Sequence, residues 1–251
     1  NTKTQKHSIY KLGHKVEEKE LKERLDMKTV IYLTTWCSSL LFFSNVEALG
    51  APLTSSSSSV MHLRADPATP TYQKALEECL PTLDDFDKSK VLKATECFTS
   101  IDLALNEIVP ISLRKEESFL QDIKDMAVTT SSMATRNDKI VVRLALVRGQ
   151  KCPKWHEDWV RIRLLKAYYG AGTEYVQPDD NWVRLGNALK SAQGKDLAVE
   201  DPCKIEKCGV NDVLIIRGKK SKNEGFLPVL HRSPIAQDEK QRRLLLTITI
   251  P

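Results

Sequence analysis

The sequence predicts a mainly α fold: a small helical bundle stapled by disulfides, with a short β-like or disordered C-terminal tail. Two patterns lead there. Apolar residues recur at three- and four-residue spacing through much of 70–192, with Pro and Gly placed as stops. Cysteines follow a segment that reads as an export signal, and in that context thiols pair.

In chain order, residues 1–26 are polar, carry no initiator Met and show no wide apolar face, and they are set aside as an upstream segment. Met27-Lys28 then opens an apolar run from Val30 to Phe43, followed by the small-residue sites Val46-Glu47-Ala48 and Ala48-Leu49-Gly50. This is the charged, apolar, small-residue order of a secretory signal, assigned to 27–50. The run is shorter than the roughly 20 apolar residues of a spanning helix, so a cleaved signal is favoured over a signal anchor.

Residues 51–68, with Ser55 to Ser59 in a row, are too polar to offset their ordering entropy and are expected as a flexible arm. The helical domain is placed at 69–195. Thr69-Pro70 starts a helix with Tyr72, Leu76, Cys79 and Leu83 on one face and Pro81 near its end. Val91, Ala94, Phe98, Ile101, Leu105 and Ile108 make the next apolar stripe, stopped by Pro110. A third helix from Ser112 turns Phe119 or Leu120, Ile123 and Met126 inward, and 128–138 reads as a loop. Ile140 to Val147 is too short to decide between a strand and a buried helix, and β-branching tilts only its first half toward strand. Two more helices are expected at 154–169, with Trp155, Trp159, Ile162 and Tyr169 on one side, and after Asp180, with Trp182, Leu185, Leu189 and Ala192 in line. The tail, 196–251, holds strand-like Val213 to Ile216 and Leu244 to Ile250 and can form a small hairpin.

Cys37 falls in the signal. Cys79, Cys97, Cys152, Cys203 and Cys208 remain as disulfide candidates, with Cys79–Cys97 stapling two consecutive helices and Cys152 pairing with Cys203 or Cys208. The odd thiol left over suggests a covalent dimer. Structural zinc wants four closely placed ligands, and Cys203-x4-Cys208 has no matching second pair.

With 38 Lys/Arg against 33 Asp/Glu, the net charge of +5 is too small to argue for nucleic acid or a membrane. No Gly-x-Ser-x-Gly elbow or phosphate loop is present, and Gly170-Ala171-Gly172 lacks the residues that would complete one. His156-Glu157-Asp158 is read on a helix, where adjacent residues point apart, so no catalytic, cofactor-binding or metal residue is assigned.

The expected function is a secreted, non-enzymatic binding protein of effector-like layout. Its partner is an unidentified protein, with no nucleic acid, no membrane after signal cleavage and no cofactor. Trp155, Trp159 and Trp182 are candidate surface anchors, with at least two of them expected to be buried. The alternatives are a nuclease-type hydrolase using His156 and His231, a signal-anchored membrane protein, and a peptide precursor cut at Lys219-Lys220 or Arg242-Arg243.

Overall fold

In a computed structural model, the described residues are 58–178 apart from 67 and 69, and 203–251 apart from 236, 237 and 239, together with Pro202 and the backbone of four short strands between these blocks. The upstream segment, the signal at 27–50 and most of the Ser-rich run lie outside them, as does the side chain of Trp182.

The architecture is mixed α/β and dominated by antiparallel sheet, which corrects the helical bundle. The helices are α1 (Gln73–Cys79), α2 (Cys97–Ile108) and α3 (Glu117–Ser132). The strands in chain order are β1 (Val60–Leu63), β2 (Phe86–Lys93), β3 (Lys139–Arg148), β4 (Ile162–Tyr169), β5 (Glu174–Val176), β6 (Trp182–Arg184), β7 (Lys190–Ser191), β8 (Gly194–Lys195), β9 (Leu197–Val199), β10 (Ile205–Lys207), β11 (Val213–Arg217), β12 (Leu230–Arg232) and β13 (Arg242–Ile250).

A six-stranded sheet has the order β1-β11-β4-β13-β3-β2, and a three-stranded sheet has the order β10-β5-β12. An isolated bridge from His156 to His231 adds a fourth segment to the smaller sheet. In chain order, β3, the His156 segment, β4, β5, β10, β11, β12 and β13 change sheet at every step except from β5 to β10, as in a two-sheet jelly roll.

The period of two decides which side each strand buries. On β3, β4 and β13, residues such as Val142, Leu144, Leu164, Tyr168, Leu246 and Ile248 join the helices in the main core. Their alternates face the smaller sheet, where Val60, Leu165, Tyr175, Leu214, Ile216 and Val229 form a second core. The helix layer is tied down by α3, where Asp122 accepts from Lys166 at 2.8 Å and from the Tyr168 hydroxyl at 2.5 Å.

The departures from the expected helices have one cause. A strand buried on both faces is a near-continuous apolar run, and such a run also satisfies three- and four-residue spacing. Residues 162–169 are β4 for that reason, and Trp182 to Arg184 are strand. Val91 belongs to β2, while the helix begins only at Cys97, so Ile101, Leu105 and Ile108 are buried and Phe98 is exposed. The C-terminal tail, read as marginal, supplies β13 between β3 and β4.

The expected disulfides are absent among the described residues: no bridge joins any two of Cys79, Cys97, Cys152, Cys203 and Cys208. Cys79 and Cys97 are not on neighbouring helix faces, because β2 intervenes between α1 and α2, and a strand of that length spans roughly 25 Å. Cys152 is exposed, whereas Cys208 lies in the second core. Burial pushes the Cys208 thiol up to about 12 and raises that of Cys97, against a hydrogen bond with Ser131. A maleimide should therefore label exposed Cys152 in the native protein and reach Cys97 and Cys208 only after denaturation, with no mass change on reduction. A two-hydrogen mass gain under reductant would contradict the free-thiol state.

Candidate metal centre

His156, Asp158 and His231 converge at one end of the smaller sheet. Their candidate ligand atoms all lie within 4.8 Å of one another. His231 sits in the middle of β12, and its backbone exchanges both hydrogen bonds with His156, each at 3.0 Å. That reciprocal pair joins two segments far apart in sequence.

The His156-x-Asp158 spacing works because this stretch is extended and not helical. Residues i and i+2 then share a face, and the residue between them points away. Glu157 accordingly turns aside to Lys219, 3.5 Å from its Nζ, with its side chain 1 % exposed. The backbone beyond is held by 218–220: Lys219 N–H donates to the Asp158 carbonyl at 2.8 Å and Lys220 N–H to that of Val160 at 3.1 Å. Gly218 permits this approach, since a Cβ there would meet the Val160 carbonyl oxygen at 2.3 Å.

Hydrogen bonds set the histidine tautomers. His156 Nδ1–H donates to the Lys154 carbonyl at 2.9 Å, and His231 Nδ1–H to that of Val229 at 3.2 Å. Carbonyl oxygens only accept, so in each neutral ring Nε2 is left as a lone pair. Both lone pairs face Asp158: His231 Nε2 is 3.1 Å from Oδ2 and His156 Nε2 is 3.7 Å from Oδ1.

The surroundings favour an ionised acid and a neutral His156. Burial opposes ionisation of Asp158, but a proton on His231 that bonds it, together with the Arg163 guanidinium, outweighs burial and holds the carboxyl below its usual range; a bound cation would take that proton's place. Burial, then repulsion from His231, lowers the pKa of His156. Arg163 on β4 grips Asp158 Oδ2 at 2.6 Å and is itself held by Thr249 Oγ1 at 3.2 Å. Two imidazole lone pairs against a carboxylate are a repulsive set unless a proton or a metal cation lies among them, and the donor set fits a divalent metal. Cis ligands about 2.1 Å from a metal sit roughly 3 Å apart, close to the His231–Asp158 separation.

A second charged feature lies close by. Arg243, at the start of β13, is 5 % exposed; its Nε donates to the Ala171 carbonyl at 2.6 Å and its Nη1 to Ser233 Oγ at 3.2 Å. Its Nη2 is buried without a partner. Ser233 is two residues past His231, roughly 7 Å along an extended chain.

This geometry corrects the expectation of a binding protein without a catalytic constellation. It brings His156 and His231 together, with ring centroids 4.4 Å apart, and the carboxylate that completes the set is Asp158. Of the surface aromatics, Trp155 is half-buried beneath the Arg232 guanidinium, 4.5 Å from its ring, and Trp159 is 72 % exposed. The usable sequence signal is the His-x-Asp pair with a distant His; the helical spacing of 154–169 conceals it, because residues two apart diverge on a helix. Nothing local marks Arg163 or Arg243.

Residues 59–248 match a family model described as "Protein of unknown function (DUF1826)". The chain belongs to this family. No curated protein matches it. Among solved structures, it is similar to the Fe(II)/α-ketoglutarate-dependent dioxygenase TqaL (13% identity, 76% of this chain and 82% of that one, TM-score 0.40). Others are an Arabidopsis thaliana dioxygenase for auxin oxidation with 2-oxoglutarate (9%, 76% and 82%, 0.35) and a Pseudomonas putida prolyl-4-hydroxylase (9%, 77% and 92%, 0.36). Scores this low leave the reading of the site to this chain's own residues.

Replacing Gly218 by Ala should displace the 158–160 backbone from 218–220. The expected result is a loss of at least about 1 kcal/mol of stability together with weaker Mn(II) binding. Unchanged Mn(II) affinity would show that this backbone clamp does not hold Asp158 in place.

Proposed function

We propose that the protein is a metal-dependent oxygenase in which His156, Asp158 and His231 hold a divalent iron and Arg243 anchors an anionic co-substrate of the 2-oxo acid type. The observation that carries this reading is the pair of Nε2 lone pairs converging on the Asp158 carboxylate. Two histidines and one carboxylate are the donor set of non-haem iron oxygenases, which leave further positions open. When bound, the iron would supply the redox and dioxygen chemistry that side chains lack.

The chain's own contribution is arrangement. Arg163 fixes the direction of the Asp158 carboxylate, and the Lys154 and Val229 carbonyls fix the two imidazoles. Such outer contacts commonly change metal affinity or activity 10–100-fold when removed. Arg243 offers an unpaired N–H from a buried guanidinium, the geometry that takes a carboxylate with charge-assisted hydrogen bonds. Ser233 Oγ, already held by Arg243, can donate its hydroxyl hydrogen to the same anion.

Two variants separate these roles. His231→Ala should lower Mn(II) or Fe(II) affinity at least about 100-fold, since one of three ligands is lost, and abolish oxygen uptake with 2-oxoglutarate. Arg243→Met should keep metal affinity near wild type while raising the KM for the 2-oxo acid at least about tenfold, the loss of one charged hydrogen bond. Metal binding that survives a combined His156→Ala, His231→Ala change would sink the metal centre. Tight zinc binding without oxygen uptake would sink the oxygenase assignment alone.

A further inference from the structure

Between β11 and β12 the chain makes an exposed excursion, and backbone hydrogen bonds stitch it to Trp159. Lys219 and Lys220 donate their N–H groups to the carbonyls on either side of that residue, those of Asp158 and Val160. The Lys219–Glu224 3-10 helix then closes on itself: Gly225 N–H donates to the Lys222 carbonyl at 3.1 Å and Phe226 N–H to that of Ser221 at 3.2 Å. Gly225 makes the reversal in the left-handed region, at φ +85°, and a Cβ there would meet nothing within 4 Å. Val229 N–H returns to the Arg217 carbonyl at 2.9 Å. These bonds set residue 159 beside 219–220 and residues 226–227 beside 221–222, as one small module.

Two kinds of side chain stand out from it. Trp159 is 72 % and Leu227 52 % exposed. One exposed Leu is ordinary, but a Trp and a Leu in a single module put a patch of apolar surface in water. Lys220 and Lys222 are exposed as well. The other charges of the module are paired. Lys219 faces buried Glu157 at 3.5 Å. Glu224 lies 3.3 Å from Arg217 and 3.7 Å from Arg161, which also holds Asp138 at 2.7 Å. Among the described residues Lys220 and Lys222 have no ion-pair partner, so they carry the module's uncompensated charge. The chain's net charge of +5 does not reveal this, because local pairing decides which charges are free.

The mixture selects among anionic partners. A single-stranded nucleic acid stacks its bases on aromatic faces. Here the Arg217 guanidinium covers one face of Phe226, 4.2 Å from the ring centroid, and Leu227 has no face to offer. An anionic bilayer surface uses every group present. Trp sits at the headgroup boundary, an aliphatic side chain enters the acyl layer, and lysines meet the lipid charge. No described helix is long and apolar enough to cross a membrane, and the contact this module offers is peripheral.

We propose that Trp159, Lys220, Lys222 and Leu227 form a docking surface for an anionic lipid bilayer. Docking holds the 158–160 segment, and with it Asp158, at the lipid boundary. The proposal stands on this surface alone and not on which ion His156, Asp158 and His231 hold.

The test is co-flotation of the full chain with vesicles of phosphatidylcholine, alone or mixed with phosphatidylserine, at low and high salt. Wild type should float with the mixed vesicles and be released by salt, binding phosphatidylcholine alone at least about tenfold more weakly. Lys220→Gln combined with Lys222→Gln should weaken binding to mixed vesicles about 25-fold, from roughly fivefold per lysine. Trp159→Ser should weaken it about tenfold, since a large side chain no longer enters an apolar phase. Its Tm should match wild type, because the ring is exposed in the folded chain. Vesicle attachment through the apolar run Val30 to Phe43 would leave wild type and both variants equal, and that result would overturn the docking surface. So would equal binding to the two kinds of vesicle, or binding of a single-stranded oligonucleotide with none to vesicles.

Discussion

The reciprocal backbone pair between His156 and His231 is the contact on which the site depends. It closes the smaller sheet with a fourth segment and sets two imidazoles side by side. It exists only because β4 and β13 share a register in the larger sheet. Their pairing returns the chain so that the segment before β4 and the strand before β13 meet on the opposite sheet. A one-residue slip in either strand would turn its inward residues to the other face. A slip in β4 would take Arg163 off the inner face and leave Asp158 without its guanidinium, and a slip in β13 would take Arg243.

The site is arranged against its own stability. Lone pairs of two histidines face an ionised carboxylate, and a buried guanidinium keeps an unpaired N–H. Such groups persist only where surrounding structure holds them, and they concentrate where ligands bind. Here the holding is done by backbone carbonyls on the two Nδ1 atoms, by Arg163 and Thr249, and by the 218–220 backbone. His62, bonded to Asp212 and Tyr175, ties in β1, a segment whose sequence reads as a polar arm. Its strand character comes from pairing with β11 and not from its own composition.

Part of the fold was open to inspection in the sequence. The apolar faces of residues 101–108 and 119–126 belong to real helices, because their stripes are one-sided and only a helix accommodates that spacing at their length. Val213 to Ile216 and Leu244 to Ile250 read as strands from β-branching and alternation. Residues 162–169 resemble a helix because a strand covered on both faces has no polar side to betray its period, and 154–161 reads as their continuation although it is extended and outside the strand. That single misreading hid the site, since His156 and Asp158 diverge on a helix and converge on an extended chain. The disulfide expectation failed along with it: it assumed helix faces in contact where β2 intervenes.

The sequence by itself determined the residue chemistry: a His-x-Asp pair, a lone distant histidine, few aromatics, and local stripes and stops that place helices and terminal strands. Local periodicity is a short-range property, and a chain read alone records it. Only the tertiary structure decided which of these groups meet. The sheet pairings join residue 60 to 216, 156 to 231 and 175 to 231, contacts separated by tens to more than a hundred positions, and no local spacing encodes them. The same pairings decide protonation and charge, because a tautomer, a lowered carboxyl or an unpaired guanidinium depends on neighbours that the chain supplies only when folded.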